Sequence, residues 1–239
     1  MGEAAEHAAE VGRLVESSAD LAPTIANLWI FNIARGRLDR AEEISADLFR
    51  IARELDDPQI LLQAHHCAWP TRWLRGQFAE AATHVDAGLA LYDEERHAHH
   101  RYIYLGHDPA VCGLNHGAIV RWVLGYPDSA TRLADEAVTL ARRLRHAPSL
   151  AQALVRGCET RAVRGDFAAV IVAATEALEL SEERGLPQAK AEALIFLGWA
   201  LTRCGETIGH RTQSRKRVAQ ALSRVRQAPD RRFAVKHPR

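Results

Sequence analysis

The chain has 239 residues, of which 47% are hydrophobic and 6% aromatic, and its formal net charge is +1. This composition can supply a buried core, but no apolar run approaches the roughly 20 residues of a membrane-spanning helix. The acidic start, 1–10, lacks the basic and apolar regions of a signal peptide. We therefore expect a cytoplasmic protein that does not contact a membrane, in which the four widely spaced cysteines are reduced packing residues.

Five glycines divide the chain at intervals of 40, 49, 40 and 40 residues: Gly36, Gly76, Gly125, Gly165 and Gly205. Each follows one alanine-rich apolar segment and precedes another, which places it at a turn where positive φ is needed. A period of about 40 residues is typical of stacked helical hairpins. The repeat predicts an all-α fold, a right-handed α-solenoid of antiparallel, tetratricopeptide-like hairpins.

The apolar spacing predicts ten helices. Their ranges, in chain order, are 4–17, 22–35, 38–55, 59–75, 78–92, 109–124, 128–144, 149–164, 167–184 and 188–203. Asp108 is expected to cap a helix that begins with Pro109, because a carboxylate accepts from the first free N–H groups and proline tolerates the first helical position. Residues 1–205 form the predicted repeat array.

The 49-residue interval contains about nine extra residues near 93–102. Insertions in a solenoid usually loop out on one face and contact partners. Five histidines crowd this region: His97, His99, His100, His107 and His116. Imidazole binds transition metals, but a structural tetrahedral site usually needs thiolates at fixed spacing, and Cys112 is the one sulfur nearby. The favoured interpretation is a solvated loop without metal, and the alternative is a metal-dependent enzyme.

Four tryptophans lie on first helices of the hairpins, which in such arrays line the concave face: Trp29, Trp69, Trp73 and Trp122. They could anchor a peptide or helix in a groove, with His97 and Tyr102 of the insertion as further contacts. Ordinary packing between repeats is the alternative, and only the exposure of these side chains separates the two.

Several short segments contain residues that helix propensity alone does not explain, among them AHHCAW at 64–69, YLGHDPAV at 104–111 and WVLGYPDSA at 122–130. Over about 20–204 the chain resembles the C-terminal helical-repeat region of bacterial signalling proteins that join an adenylate or guanylate cyclase domain to a STAND-type ATPase. The resemblance implies a non-catalytic sensor or scaffold arm that binds a protein or peptide, with the ATPase or cyclase domains of a related protein as candidate partners. The sequence has neither a phosphate-binding loop nor a cyclase core, so we expect no enzyme activity and no cofactor.

The segment 206–239 departs from the repeat. Its 10 basic and 2 acidic residues give it a charge of +8, whereas 1–205 carries −7. We expect one capping helix followed by disorder from about residue 228. The alternative function is a nucleic-acid-associated regulatory protein that uses the basic segment 211–232. Phe233 is the single aromatic of this tail, which argues against specific recognition of nucleic acid.

Overall fold

The computed structural model describes residues 18–207, and all its regular elements in that range are α-helices. The helices are α1 (Ser18–Ala34), α2 (Leu38–Glu54), α3 (Pro58–Leu74), α4 (Phe78–Leu91), α5 (His100–Ile103), α6 (Pro109–Val123), α7 (Pro127–Leu144), α8 (Ala147–Val163), α9 (Phe167–Arg184) and α10 (Pro187–Thr207). This confirms the all-α class. The predicted helix 4–17 and the tail beyond residue 207 lie outside the described residues. Between residues 18 and 207, no helix has both the length and the apolar character to cross a membrane.

The starts of two helices follow from an Asp-Pro pair. Asp57 accepts hydrogen bonds from the N–H groups of Gln59 and Ile60, and Pro58 is the first residue of α3. Asp108 accepts from Ala110 and Val111 at 3.0 and 3.2 Å in the same way, with Pro109 opening α6. The carboxylate satisfies N–H groups that have no partner within the helix. The predicted cap at Asp108 is confirmed.

Four of the hairpin turns have the same backbone conformation. Gly36, Gly76, Gly125 and Gly165 have φ of 68°, 74°, 88° and 77°. At the first turn the Gly36 N–H donates to the Ile33 carbonyl and the Arg37 N–H to the Asn32 carbonyl, both at 3.0 Å. The other three turns repeat this pair of bonds, which is the Schellman arrangement that requires a left-handed residue. Glycine adopts it without strain.

Gly205 is the exception. The predicted turn at this glycine is wrong, because α10 continues through it to Thr207. A glycine inside a helix costs only about 1 kcal/mol relative to alanine, so the residue type alone does not end the helix.

The described residues belong to two compact units, one ending at Ala137 and the next beginning at Val138. In the first unit, α1 to α3 enclose an apolar cluster, in which α2 buries Ala41, Ile44, Leu48 and Ile51. In the second unit, α9 buries Val170, Ala173, Ala177 and Leu180. Three of the cysteines, Cys67, Cys112 and Cys158, are buried and form no disulfide.

Neighbouring hairpins of the first unit also share ion pairs on their surface. Arg72 of α3 reaches Glu42 of α2 at 2.6 Å, and Arg121 of α6 reaches Asp86 of α4 at 2.6 Å. Such partly exposed pairs contribute little, typically up to about 1 kcal/mol each. The core provides most of the stability of this unit.

Trp69 packs with Val85 and Cys112 in a second apolar cluster of this unit, and a glycine of α4 makes room for its ring. A Cβ added at Gly88 of α4 would lie 2.6 Å from Cζ3 of Trp69, and one added at Gly113 of α6 would lie 3.5 Å from Cη2. Trp69 itself is 0% exposed. Gly88 therefore lets α4 approach the indole ring, whereas a Cβ at position 113 of α6 would meet the ring at ordinary van der Waals distance.

We expect Gly88→Ala to lower the free energy of unfolding by about 2 kcal/mol, because overpacking against Trp69 outweighs the better helix propensity of alanine. The matched control is Gly198→Ala in α10, where an added Cβ meets nothing within 4 Å. That change should raise stability by about 0.5–1 kcal/mol. Urea denaturation of both variants measures the difference, and an equal gain in both would contradict the packing argument.

Candidate functional site

The four tryptophans predicted to line a groove have different environments. Trp29 and Trp69 are buried among helices of the first unit, and Nε1 of Trp29 donates to Oγ1 of Thr71 at 2.9 Å. Trp73 and Trp122 are half-buried near the ends of α3 and α6. The first two are therefore packing residues in this structure, and only the second two retain surface that a partner could contact.

The two predicted contact residues of the insertion differ in exposure. Tyr102 is 72% exposed, whereas His97 is buried. The N–H of Asp93 and the Asp93 carbonyl both lie 2.9 Å from Nδ1 of His97, and the imidazole stacks on Tyr92. His97 thus holds the start of the insertion together, while Tyr102 extends from it.

The insertion packs against the helices instead of looping out into solvent. His100 is buried, with its Nδ1 2.7 Å from Nε2 of Gln63 and its Nε2 3.4 Å from Oε1 of Gln59. Farther along, Tyr104 joins the apolar cluster of α1 to α3. The prediction of a solvated histidine-rich loop is wrong, because His97 and His100 are buried. The hydrogen-bond partners of His100 lie on α3, and the sequence of the insertion does not reveal them.

A compact polar site lies where α3, the end of the insertion and α6 meet. His66 and His107 approach with their Nε2 atoms 3.1 Å apart. The ligand-capable atoms of His66, His107 and Cys112 all lie within 4.8 Å of one another. His66 and Cys112 are buried and His107 is half-buried. Trp69 stacks on the His66 imidazole, with ring centroids 5.0 Å apart, and forms an apolar wall.

Burial controls the protonation of the surrounding histidines. Burial, followed by the nearby His97 and His99, lowers the pKa of His100 to about 3. Burial also lowers the pKa of His66 well below its ordinary value, with a smaller contribution from His107. These imidazoles are therefore neutral near pH 7, the form in which imidazole can act as a metal ligand.

A second pair of histidines lies beside this site. Nδ1 of His65 and Nδ1 of His84 are 3.0 Å apart, and Phe49 packs against both rings. Burial lowers the pKa of both, that of His65 to about 4. His65 and His66 are adjacent in sequence but contact different residues, as expected from their roughly 100° separation on a helix.

Asp108 links the cap of α6 to the start of the insertion. Besides capping α6, its Oδ2 accepts a hydrogen bond from the hydroxyl of Tyr92 at 3.0 Å. Burial raises the pKa of the Asp108 carboxyl, although its hydrogen bonds from Val111 and Tyr92 act in the opposite direction. This contact fixes the His107–Asp108 corner that presents His107 to His66.

Sequence reasoning found two members of the three-residue site but not the third. His107 and Cys112 were recognised within the histidine-rich region, whereas His66 lies 41 residues before His107 on another hairpin. The available signal was the pair of adjacent histidines, His65-His66, in the middle of α3. Spacing within one segment could not reveal a ligand contributed by a different helix.

Comparison with known proteins supports the repeat fold. No family model matches the chain. An uncharacterized protein of Rhizobium meliloti (strain 1021) is 30% identical over 193 residues, which cover 80% of this chain and 18% of the relative. The chain therefore spans less than a fifth of the length of this relative.

Among solved structures, BtubC (BKLC) from P. vanneervenii is similar with a TM-score of 0.63 and 19% identity, covering 100% of this chain and 92% of that one. The TPR-like repeats of a Podosopora anserina kinesin light chain protein give a TM-score of 0.54 at 13% identity over 84% of this chain and 92% of that one. At these identities the likeness concerns the fold. The chain has the architecture of a tetratricopeptide-like α-solenoid, as the glycine repeat predicts.

Proposed function

We propose that the chain is a non-catalytic protein-interaction arm, of the kind that bacterial cyclase and STAND ATPase signalling proteins carry after their ATPase domain. Two observations support this proposal. The fold is that of tetratricopeptide-like repeats, and the chain corresponds to 18% of a much longer bacterial relative. A segment of this kind is suited to bind another domain or protein.

A surface suited to this role lies at the hairpin turns of the first unit. Exposed apolar side chains lie at the ends of α3 and α6 and in the turn that follows α6: Leu74, Val123, Leu124 and Tyr126. Leu74 and Val123 each stand two residues before the turn glycine, so they occupy equivalent repeat positions. We call these four residues, together with the half-buried Trp73 and Trp122, the turn surface.

The turn surface has the composition of a protein interface. It consists of large aromatic and aliphatic groups, and Arg75, paired with Glu42, follows Leu74 in the chain. Aromatic anchors surrounded by polar groups are typical of binding hot spots. We infer that the partner presents an apolar helix or peptide, as the neighbouring domains of a signalling protein could do.

A matched pair of leucines tests the turn surface. Leu74 is 50% exposed at the end of α3, and Leu55 is 45% exposed after α2, in the connection between two hairpins. The partner is first captured on the immobilised chain and identified by mass spectrometry, and its affinity is then measured with purified components by calorimetry. We expect Leu74→Ser combined with Tyr126→Ala to weaken binding about 10-fold or more.

Leu55→Ser is the control and should leave the affinity unchanged. Equal loss in the control would reject the turn surface but not the interaction function. If the chain binds neither a captured protein nor purified ATPase and cyclase domains of a related signalling protein, the proposed function is wrong.

A further inference from the structure

Three side chains with metal-binding atoms converge from separate elements of the first unit. His66 belongs to α3, His107 to the end of the insertion and Cys112 to α6. Their ligand atoms lie within 4.8 Å of one another, and the two Nε2 atoms are 3.1 Å apart. The site is independent of the turn surface and of the proposed interaction function.

The hydrogen bonds of the two imidazoles determine where their hydrogens lie. Nδ1 of His107 is 3.0 Å from the Leu105 carbonyl, which can only accept, so this nitrogen carries the hydrogen. A neutral His107 therefore has a lone pair on Nε2.

The same reasoning applies to His66 through Gln63. Nε2 of Gln63 donates to Nδ1 of His100 at 2.7 Å, which directs Oε1 of the same amide towards Nδ1 of His66 at 3.0 Å. That oxygen can only accept, so Nδ1 of His66 carries the hydrogen and Nε2 has the lone pair.

Two lone pairs therefore face each other across 3.1 Å. They repel in this arrangement, whereas a cation between them would turn the contact into two favourable bonds. Ligand histidines in proteins usually donate their other ring N–H to a carbonyl, carboxylate or amide oxygen, which fixes the tautomer. Both His66 and His107 have this second partner.

The third group supplies a sulfur. Cys112 is buried next to Trp69 in an apolar cluster, and Nδ1 of His116 lies 3.4 Å from its Sγ. The same nitrogen is 3.0 Å from the Cys112 carbonyl, so it carries a hydrogen that it can share with the sulfur. Such an N–H stabilises a metal-bound thiolate.

We propose that His66, His107 and Cys112 bind one zinc ion through the two Nε2 atoms and Sγ. Zinc favours imidazole and thiolate ligands, at about 2.0–2.1 Å to nitrogen and 2.3 Å to sulfur. Tetrahedral bonds of those lengths place two nitrogens about 3.3 Å apart, close to the 3.1 Å in the structure. A tetrahedral site places the sulfur about 3.6 Å from each nitrogen, so with ligand atoms no more than 4.8 Å apart the sulfur needs to move by at most about 1.5 Å.

Three protein ligands leave one coordination position for water or for a side chain of a partner. The ion would join the insertion to α3 and α6, and thereby fix the segment that carries the exposed Tyr102. Zinc would then control the conformation of the largest departure from the repeat.

The experiment uses the full chain, stripped of metal with a chelator and kept reduced. Zinc binding is measured by competition with a chromophoric chelator, and cobalt(II) replaces zinc for absorption spectroscopy. We expect one ion per chain and, with cobalt, a near-ultraviolet band from thiolate-to-metal charge transfer. His107→Ala and Cys112→Ala should each weaken zinc binding about 100-fold or more, and Cys112→Ala should abolish the cobalt band.

Two controls separate this site from other sulfur and histidine groups. Cys158→Ala removes a buried cysteine of the second unit, and His99→Ala removes an exposed histidine of the insertion. Neither should change the zinc affinity or the cobalt band. Circular dichroism checks that each variant is folded, and His107→Ala, at a half-buried position, provides the test if Cys112→Ala does not fold.

The proposal is overturned if the stripped chain takes up no zinc at micromolar concentration. It is also overturned if folded His107→Ala binds zinc as tightly as the unchanged chain. Loss of binding in His99→Ala with retention in His107→Ala would place the metal on surface histidines and would equally reject the site.

Discussion

Trp69→Ala should lower the free energy of unfolding by about 4 kcal/mol, the largest effect we expect from a single substitution in this protein. The side chain is fully buried, stacks on His66 and occupies the space left by Gly88. Removing the indole leaves a cavity, and helices that already touch through glycine cannot close around it. Chemical denaturation monitored by far-ultraviolet circular dichroism measures the loss.

Two further variants show that the effect comes from packing. Trp69→Phe retains part of the ring volume and should cost less than Trp69→Ala. Tyr102→Ala removes an aromatic side chain that is 72% exposed, and it should change stability by no more than about 0.5 kcal/mol. If Trp69→Ala were as harmless as Tyr102→Ala, the assignment of Trp69 to the core would be wrong.

Acidification should destabilise the first unit by more than about 3 kcal/mol between pH 6.5 and pH 4. Burial lowers the pKa of His100 to about 3 and that of His65 to about 4, and it also lowers those of His66, His84 and His97. In the unfolded chain these groups titrate near pH 6.5. Below that pH the unfolded state binds more protons than the folded state, so stability is complete above pH 6.5 and falls as the pH drops towards the folded-state values.

Urea denaturation at a series of pH values, with chelator present to remove metal effects, measures this slope. His100→Gln cannot gain a proton in this range, so it should reduce the acid loss by about 3 kcal/mol. His99→Gln removes an exposed neighbour that contributes less than burial to the lowered pKa of His100, so it should reduce the acid loss far less. A pH profile that stays flat in the unchanged chain, or an unaltered slope in His100→Gln, would contradict the role assigned to buried His100.

Most of the fold could be predicted because its signals are local. Gly36, Gly76, Gly125 and Gly165 occupy the left-handed position of the hairpin turns. The Asp108-Pro109 pair opens α6 as predicted. Each of these features depends on a few adjacent residues, and a sequence displays them directly.

The candidate sites were less predictable because exposure depends on neighbouring helices. Trp69 and Trp73 occur four residues apart on the same helix, yet one is buried and the other half-buried. The difference arises from packing by other helices, above all from Gly88 of α4, which leaves room for the Trp69 ring. No property of the α3 segment alone distinguishes these two tryptophans.

The spacing of the glycines specifies the architecture of this protein: a helical repeat of about 40 residues with a glycine at each hairpin turn and one insertion. The tertiary structure decided the environment of the insertion, which packs its histidines against α3 and places His107 against His66. Turns and helices depend on short-range backbone preferences, which can be recognised from a few adjacent residues. The convergence of His66, His107 and Cys112 depends on packing between segments that are distant in the chain, and only the folded structure brings them together.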